Sequence, residues 1–478
     1  MRRRDFLRVA GLGAASVVAL GSARVLPAAG PRKPPNVVFI VADDLGYAEV
    51  GCYGQKKIKT PNIDRLAAEG MRFTQAYSGN PVCAPSRCTL MTGLHTGHAQ
   101  VRGNKQMGGK EGWTLGSTIG GQWPLEAGTL TVARLFQQAG YATGAFGKWG
   151  LGRVGTTGDP QKQGFDHFFG YICQRQAHTY YPNHLWKDGE VFWIEKNKDG
   201  KEQVYSHDLI ANEALRFVRA NQDRPFFLYV PFTIPHVALQ VPEDSLAEYR
   251  GKWPDPPYDG KKGYLSHPCP RACYAGMVTR MDKDVGRIVA LLDQLGLHDN
   301  TLVIFTSDNG PTYNGGADSA FFESAGPLRG LKGSVWEGGI RIPFIARWPG
   351  KIEEGTESDH VTAFWDFLPT CAELLGQGPP DGIDGLSMLP TLLGQTRRQR
   401  RHEYLYWELR GQQAIRMGDW KAVRLKPGRP IQLFDLKTDI GEQNDIAGRN
   451  PELVAKMREM FTSRRTPSQA FPLPSSKS

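Results

Sequence analysis

The most continuous apolar runs of the chain are its most informative feature. Residues 36–42 (Asn-Val-Val-Phe-Ile-Val-Ala) show no alternation of polar and apolar positions and are rich in β-branched side chains. A strand with one face in water alternates; a strand covered on both faces does not. The same pattern recurs at 301–306 (Thr-Leu-Val-Ile-Phe-Thr), at 224–232 and, in shorter form, at 141–146 and 344–348. Between these runs the period changes to three and four residues. Residues 130–138 (stopped by Gly140), 206–222 and 271–295 read as helices, the last with Met277, Met281, Val285, Ile288 and Leu292 on one face. A further helix is expected over 360–375. Buried strands alternating with helices predict an α/β fold with a large, mostly parallel sheet sandwiched by helices.

After a basic, Gln-containing run at 397–401 the pattern changes again. Residues 403–409, 413–417, 420–424 and 432–436 read as short antiparallel strands, and a helix over 451–464 closes them. The expected organisation is therefore a large domain over 31–395, a smaller C-terminal α+β domain of antiparallel strands and a helix over 396–465, and a disordered tail over 466–478. Residues 253–270, rich in Pro, Gly, Lys and Tyr, read as a long surface loop at the rim of a cleft.

Two of the buried runs end on oxygen-bearing side chains: Asp43-Asp44-Leu45-Gly46 after the first, and Ser307-Asp308-Asn309-Gly310 after the second. Asp-Asp before Gly is also a common turn or helix cap. Ligand sites of open α/β sheets, however, lie beyond the carboxyl ends of strands. Asp43, Asp44, Asp308 and Asn309 together form an all-oxygen set suited to Ca²⁺ or Mg²⁺, with Ca²⁺ preferred, and unsuited to zinc or copper. The stretch from Pro81 to Gly93 predicts a short helix starting near Cys83, with Pro85 in its first turn. Cys83 would then lie at the positive helix end, where Arg87 adds a two-pronged donor for a tetrahedral oxyanion.

Cys83-x-Pro85-Ser86-Arg87 followed by Leu90-x-Thr92-Gly93 resembles the signature of the sulfatases. The resemblance implies that a maturation enzyme oxidises Cys83 to formylglycine (3-oxoalanine), whose hydrate attacks sulfur and then expels sulfate. It implies the divalent metal on Asp43, Asp44, Asp308 and Asn309, and Cys83 beside it. It also carries over Lys148 and Lys332 as sulfate contacts and His236, in Ile234-Pro235-His236, as the acid for the leaving alcohol. One position departs from the family. Gly147-Lys148-Trp149-Gly150-Leu151-Gly152 has Gly150 where the family usually carries a histidine that accepts the proton from the diol. The nearby Tyr- and His-rich segment offers His178 and His184 as substitutes. The activity implied is hydrolysis of a sulfate monoester, on a sulfated carbohydrate or small molecule. The alternatives are a phosphate or phosphonate ester hydrolase of the same fold, and a sulfated-glycan binding protein that has lost turnover.

Composition narrows the setting. With 478 residues and 40% hydrophobic content the chain is long enough for one large core, which argues against disorder and against a polytopic membrane protein. Arg2-Arg3-Arg4-Asp5-Phe6-Leu7-Arg8, an apolar run over 9–20 and small residues near 29 describe an export signal over 1–30, too short to span a membrane and resembling a twin-arginine signal. This predicts recognition by the twin-arginine export machinery, a periplasmic or extracellular location, and no transmembrane helix in the mature chain. The formal charge is +10. That steers anions in general, but no dense Lys/Arg cluster interleaved with aromatics supports nucleic acid. Of the seven cysteines, Cys269 and Cys273 could pair in an oxidising compartment or remain thiols.

Overall fold

The computed structural model describes residues 34–474, apart from 108, 113 and 115. The expected export signal over 1–30 and the last four residues of the tail lie outside the described residues. A ten-stranded sheet runs, edge to edge, through Thr356–Ser358, Met71–Phe73, Phe344–Arg347, Thr301–Ser307, Asn36–Ala42, Phe226–Pro231, Ala142–Lys148, His167–Tyr171, His184–Lys187 and Glu190–Trp193. The five strands from Thr301–Ser307 to His167–Tyr171 are parallel to one another.

The lack of alternation in the central strand has a direct cause. Val38, Ile40 and Ala42 point into one apolar cluster and Val37, Phe39 and Val41 into another, one on each face of the sheet. The first cluster is closed by the helices Pro61–Ala68, Ser206–Ala220 and Pro270–Gln294, the last contributing Met277, Met281, Val285, Ile288 and Leu292. The second is closed by Cys83–Thr92, Val132–Gln138 and Phe367–Leu374; Phe39 and Phe367 stack with centroids 4.2 Å apart. All seven residues of the central strand are buried.

Register then fixes the functional edge. Asn36–Ala42 pairs in parallel with Thr301–Ser307 so that Ala42 lies opposite Ser307. The residues that follow, Asp43-Asp44 and Asp308-Asn309, therefore leave the sheet side by side.

The C-terminal strands Leu405–Leu409, Gln412–Met417, Trp420–Arg424 and Gln432–Asp435 form an antiparallel sheet. One face packs Trp407, Ala414, Val423 and Phe434 against Tyr77, Trp336 and Trp365 of the large domain. The other packs Tyr406, Ile415, Ala422 and Leu433 under the helix Pro451–Ser463. Between sheet and large domain lies a fully buried ionic knot. Lys421 Nζ is 2.9 Å from both Glu337 Oε1 and Glu442 Oε1. Burial pushes the Glu337 carboxyl up, but Lys421, Arg341 and Arg416 outweigh it and hold it down to about 2. Burial raises Glu442 to about 7 despite Lys421.

The structure corrects several expectations. Residues 360–375 are not one helix: Thr362–Ala363 pairs as a strand with Ala76–Tyr77, and the helix starts at Phe367. Asp366 enforces the change, since its carboxylate accepts from Ala363 N and Thr362 Oγ1, each at 2.9 Å. Residues 466–474, expected to be disordered, lie against the body. Arg102 donates to the carbonyl and hydroxyl oxygens of Thr466 (2.8 and 2.9 Å), and Phe471 meets Trp123 edge-on. All seven cysteines are free thiols, so Cys269 and Cys273 form no disulfide. Residues 253–269 contain no helix or strand, only the Tyr258–His267 bridge, as expected of a loop.

Removing the charge of Lys421 tests the ionic knot. Lys421→Met leaves Glu442 without its cation and Glu337 with only Arg341 in ion-pair contact, and an uncompensated buried charge costs about 3–5 kcal/mol. The urea midpoint should fall accordingly while the denaturant slope is unchanged.

Candidate active site

The helix Cys83–Thr92 begins after Val82 in extended conformation and ends on Gly93, whose left-handed φ of 71° lets its amide return to Thr89 O at 3.1 Å. Pro85 costs nothing in the first turn, where its missing N–H would have no helical partner. The Ala84 amide donates to Asn104 Oδ1 at 3.0 Å. Every residue of this helix is buried, Cys83 at 1% exposure. Burial pushes the Cys83 thiol up to about 12 despite Lys148 and Lys332, so the unmodified side chain is a protonated and poor nucleophile.

Four oxygen donors surround the helix start. Asp43 Oδ2 accepts from Lys148 Nζ at 2.6 Å and lies 3.4 Å from Arg87 Nη2. Asp44, in the left-handed region (φ 68°), accepts from Asn309 Nδ2 at 2.8 Å on one oxygen and from Lys332 Nζ at 2.5 Å on the other. Asp308 accepts from the Asp44 amide at 3.1 Å and from Arg87 Nε and Nη2 at 3.1 and 2.8 Å. Lys148 is the last residue of its strand and Lys332 sits in the Gly-rich loop after Asp308.

Burial alone would neutralise these acids. The Asp308 carboxyl is raised to about 7 by burial and by Asp43, against the pull of Arg87. For Asp43, burial acts upward but Lys148, His236 and Arg87 win and hold it well below the usual carboxylate range. Asp43 Oδ1 and Asn309 Oδ1 are buried without a hydrogen-bond partner. Two orphaned hard oxygens among three carboxylates fit the oxygen-ligated divalent cation that the fold family implies. Three carboxylates already balance Arg87, Lys148 and Lys332, so a divalent cation would leave the pocket with a net positive charge, suited to an anion.

His236 completes the group. One ligand atom each from Asp43, Asp44, Cys83 and His236 all lie within 4.8 Å of one another. The His236 Nδ1 edge bonds the Val237 carbonyl, which fixes the proton on Nδ1 and leaves the Nε2 lone pair facing Asp44 Oδ2 at 3.6 Å. The Tyr180 hydroxyl, 2.8 Å from the His236 carbonyl, steadies this loop.

The two substitutes suggested for the missing histidine fare differently. His178 stacks on His236 with ring centroids 5.0 Å apart and meets Tyr264 of the 253–269 loop at a tilt. Its Nδ1 accepts from Arg175 at 2.9 Å, so Nε2 carries the proton, and burial together with His236 holds the ring neutral by lowering it to about 2. It is a buttress and donor, not a base. His184 lies on the strand His184–Lys187, bonded to Gln176 and Asn183 and packed by Trp186 and Trp193, and does not join the site. Nor does Arg87 point its fork at the pocket mouth as expected. Its donors are engaged by Asp308, Asp43 and the Lys148 carbonyl, so it acts as a buried countercharge.

Sequence reasoning missed Gln174. Gly150 has φ 82°, and a Cβ there would meet Gln174 Nε2 at 2.6 Å. Both the backbone and Gln174 exclude a larger side chain. It also missed Asn104, which no local signal marks. A second group, His95, His98 and Asp384, is compact, but Gly97 N donates to His95 Nδ1, so Nε2 carries the proton and is not a metal ligand. Among the described residues, no helix is long and apolar enough to cross a membrane.

Comparison with known proteins agrees with this geometry. The sulfatase family profile matches residues 35–377, and that of the N-sulphoglucosamine sulphohydrolase C-terminal region matches 332–466. Human arylsulfatase A is 33% identical over 488 aligned residues, covering 90% of this chain and 87% of that protein. The N-acetylgalactosamine-6-O-sulfatase of Bacteroides thetaiotaomicron is 30% identical, covering 90% of this chain and 93% of its own length. The crystal structure of Ps i-CgsB in complex with k-i-k-neocarrahexaose is similar with a TM-score of 0.75 at 30% identity, over 93% of this chain and 96% of that one. With a family profile spanning most of its length and relatives matched nearly end to end, the chain belongs to the sulfatase family.

Proposed function

We propose that the protein hydrolyses a sulfate monoester of a sulfated carbohydrate, with position 83 in its formylglycine form and a divalent cation, Ca²⁺ rather than Mg²⁺, on Asp43, Asp44, Asp308 and Asn309. The observation that carries this reading is the convergence of Cys83, Asp43, Asp44 and His236 within 4.8 Å at one buried sheet edge. The substrate class draws support from relatives named for sulfated sugars and from a similar structure solved with a neocarrahexaose.

As formylglycine, position 83 would supply a hydrated aldehyde whose one hydroxyl attacks sulfur and whose second later expels sulfate. The bound cation would add positive charge that polarises the nucleophile and the sulfate oxygens. The chain's own residues do the rest. Lys148 and Lys332 are the ammonium groups beside Cys83, placed to offset charge that builds on sulfate and on the bridging oxygen. Arg87 is the buried countercharge of Asp43 and Asp308. With no histidine at 150, His236 is the imidazole whose free Nε2 exchanges protons with position 83 and the leaving alcohol. The arginine-rich start and the apolar run over 9–20 support twin-arginine export to the periplasm, with the maturation enzyme acting on Cys83 first.

Mass spectrometry of the peptide around Cys83, from protein made with a maturation enzyme, should show the thiol-to-aldehyde mass change, and Cys83→Ala should abolish sulfate release. Faster release from an aryl phosphate than from an aryl sulfate would overturn the sulfate reading. Binding of a sulfated sugar without release would mark a glycan-binding protein instead. His236→Ala should lower kcat by about 10²–10⁴-fold, the usual worth of a placed acid–base group.

Chelation should lower both turnover and melting temperature, since an ion that binds only the folded state stabilises it. Added Ca²⁺ should restore both. A melting temperature indifferent to chelator and Ca²⁺ would remove the metal from the reading.

A further inference from the structure

The tip of the first hairpin of the C-terminal sheet is built against its own sequence. Arg410 and Gly411 join Leu405–Leu409 to Gln412–Met417 with φ of 49° and 90°. Asp188 and Gly189 make the same turn elsewhere in the molecule, with φ of 49° and 89°. Two-residue turns of this kind favour Asn, Asp or Gly at the first position, because a short polar side chain tolerates the left-handed region. Asp188 obeys that preference. Arg410 violates it, and strained backbone of this kind persists where something other than stability selects it.

The surroundings of Arg410 say what that is. A cavity of about 350 Å³ lies between this tip, the loop Arg102–Lys105 and the tail segment Ala470–Leu473. Arg102 and Arg465 occupy the oxygens of Glu408, the one acid in the lining. Arg410 is exposed and, among the described residues, forms no hydrogen bond or ion pair. Lys105 holds its ammonium 3.9 Å from the centre of the Trp123 ring, which Phe471 flanks. The cavity thus carries two cations with no paired acid among the described residues, beside an aromatic wall, Lys105 also donating to the Ala470 carbonyl at 3.5 Å.

It also adjoins the catalytic centre. Asn104 of its lining accepts from the amide next to Cys83. Asn80 donates to the Glu408 carbonyl at 2.8 Å, and Gln412 donates to the carbonyl of Gly333, next to Lys332, at 2.9 Å. The hairpin tip is therefore clamped between the loops that carry the nucleophile and the sulfate-binding lysine.

We propose that this cavity is a second anionic subsite, in which Arg410 and Lys105 select substrates whose sugar next to the sulfated one carries its own sulfate or carboxylate. The inference rests on the sulfate-ester reading above and adds to it a preference for polyanionic saccharides over small monoanionic esters.

The experiment compares wild type, Arg410→Asn and Lys105→Ala/Arg410→Asn on a disulfated disaccharide and on an aryl sulfate. Asn suits the turn, so Arg410→Asn should melt at or above the wild-type temperature, which separates lost recognition from lost folding. KM for the disaccharide should rise about tenfold in the single variant and further in the double, while kcat/KM for the aryl sulfate stays within twofold. An equal change on both substrates, or none on the disaccharide, overturns the subsite. Should the wild type release sulfate from neither compound, the sulfate-ester reading fails separately. Calorimetric binding of the disaccharide then decides: weaker binding by Arg410→Asn upholds the subsite, and unchanged binding rejects it.

Discussion

Three carboxylates buried at one sheet edge are driven to protonate by their lost hydration, and Arg87, Lys148 and Lys332 oppose that drive, overcoming it at Asp43 and countering it in part at Asp44 and Asp308. This balance organises the molecule. Arg87 comes from the Cys83 helix, Lys148 from a strand end, and Lys332 from the Gly-rich loop, so three segments distant in sequence are drawn to Asp43, Asp44 and Asp308. Removing Arg87 would leave Asp308 without its cation, and removing Lys332 would leave Asp44 without its ammonium partner. The position of Cys83 follows from the same pairing, because Arg87 lies one turn along the helix from it.

The C-terminal sheet belongs to this arrangement and is not an appendage. The Gly-rich loop is held from one side by Pro81, whose carbonyl accepts from Gly333 N, and from the other by Gln412. Farther along, Glu337 N donates to Glu442 at 2.7 Å, and Lys421 bridges both acids. A buried ionic knot is an expensive way to gain stability. Its product is geometric: it fixes where the loop of Lys332 meets the loop of Cys83.

What the sequence made legible was local. A strand covered on both faces must be apolar throughout, so the runs at 36–42 and 301–306 stood out, and the acids directly after them were placed by chain continuity. Cys83, Lys148, Lys332 and His236 followed from motif resemblance. What was not legible depends on partners far along the chain. The donors of Arg87 look free in sequence and are spent in space. The 466–474 segment has the Pro- and Ser-rich composition of a disordered tail, yet Arg102 holds its backbone. The hairpin His184–Lys187/Glu190–Trp193 went unread although Asp188-Gly189 between strand-prone residues is a strong turn signal, and the structure's placement of His184 on it takes that residue away from the site.

Gly150 shows how a single departure from a family pattern is absorbed. With φ at 82° and Gln174 packed against it, the backbone at 150 has taken a path on which an L side chain would be strained and would collide. A histidine placed at 150 would have to adopt strained backbone and displace the Gln174 amide. In the proposed reaction His236 is the imidazole left for proton transfer, and its surroundings suit that role. Its Nδ1 is tied to its own backbone, His178 stacks against its face without a free lone pair to compete, and Nε2 alone is left towards Asp44 and Cys83. The tautomer and orientation of this one imidazole are fixed by its neighbours.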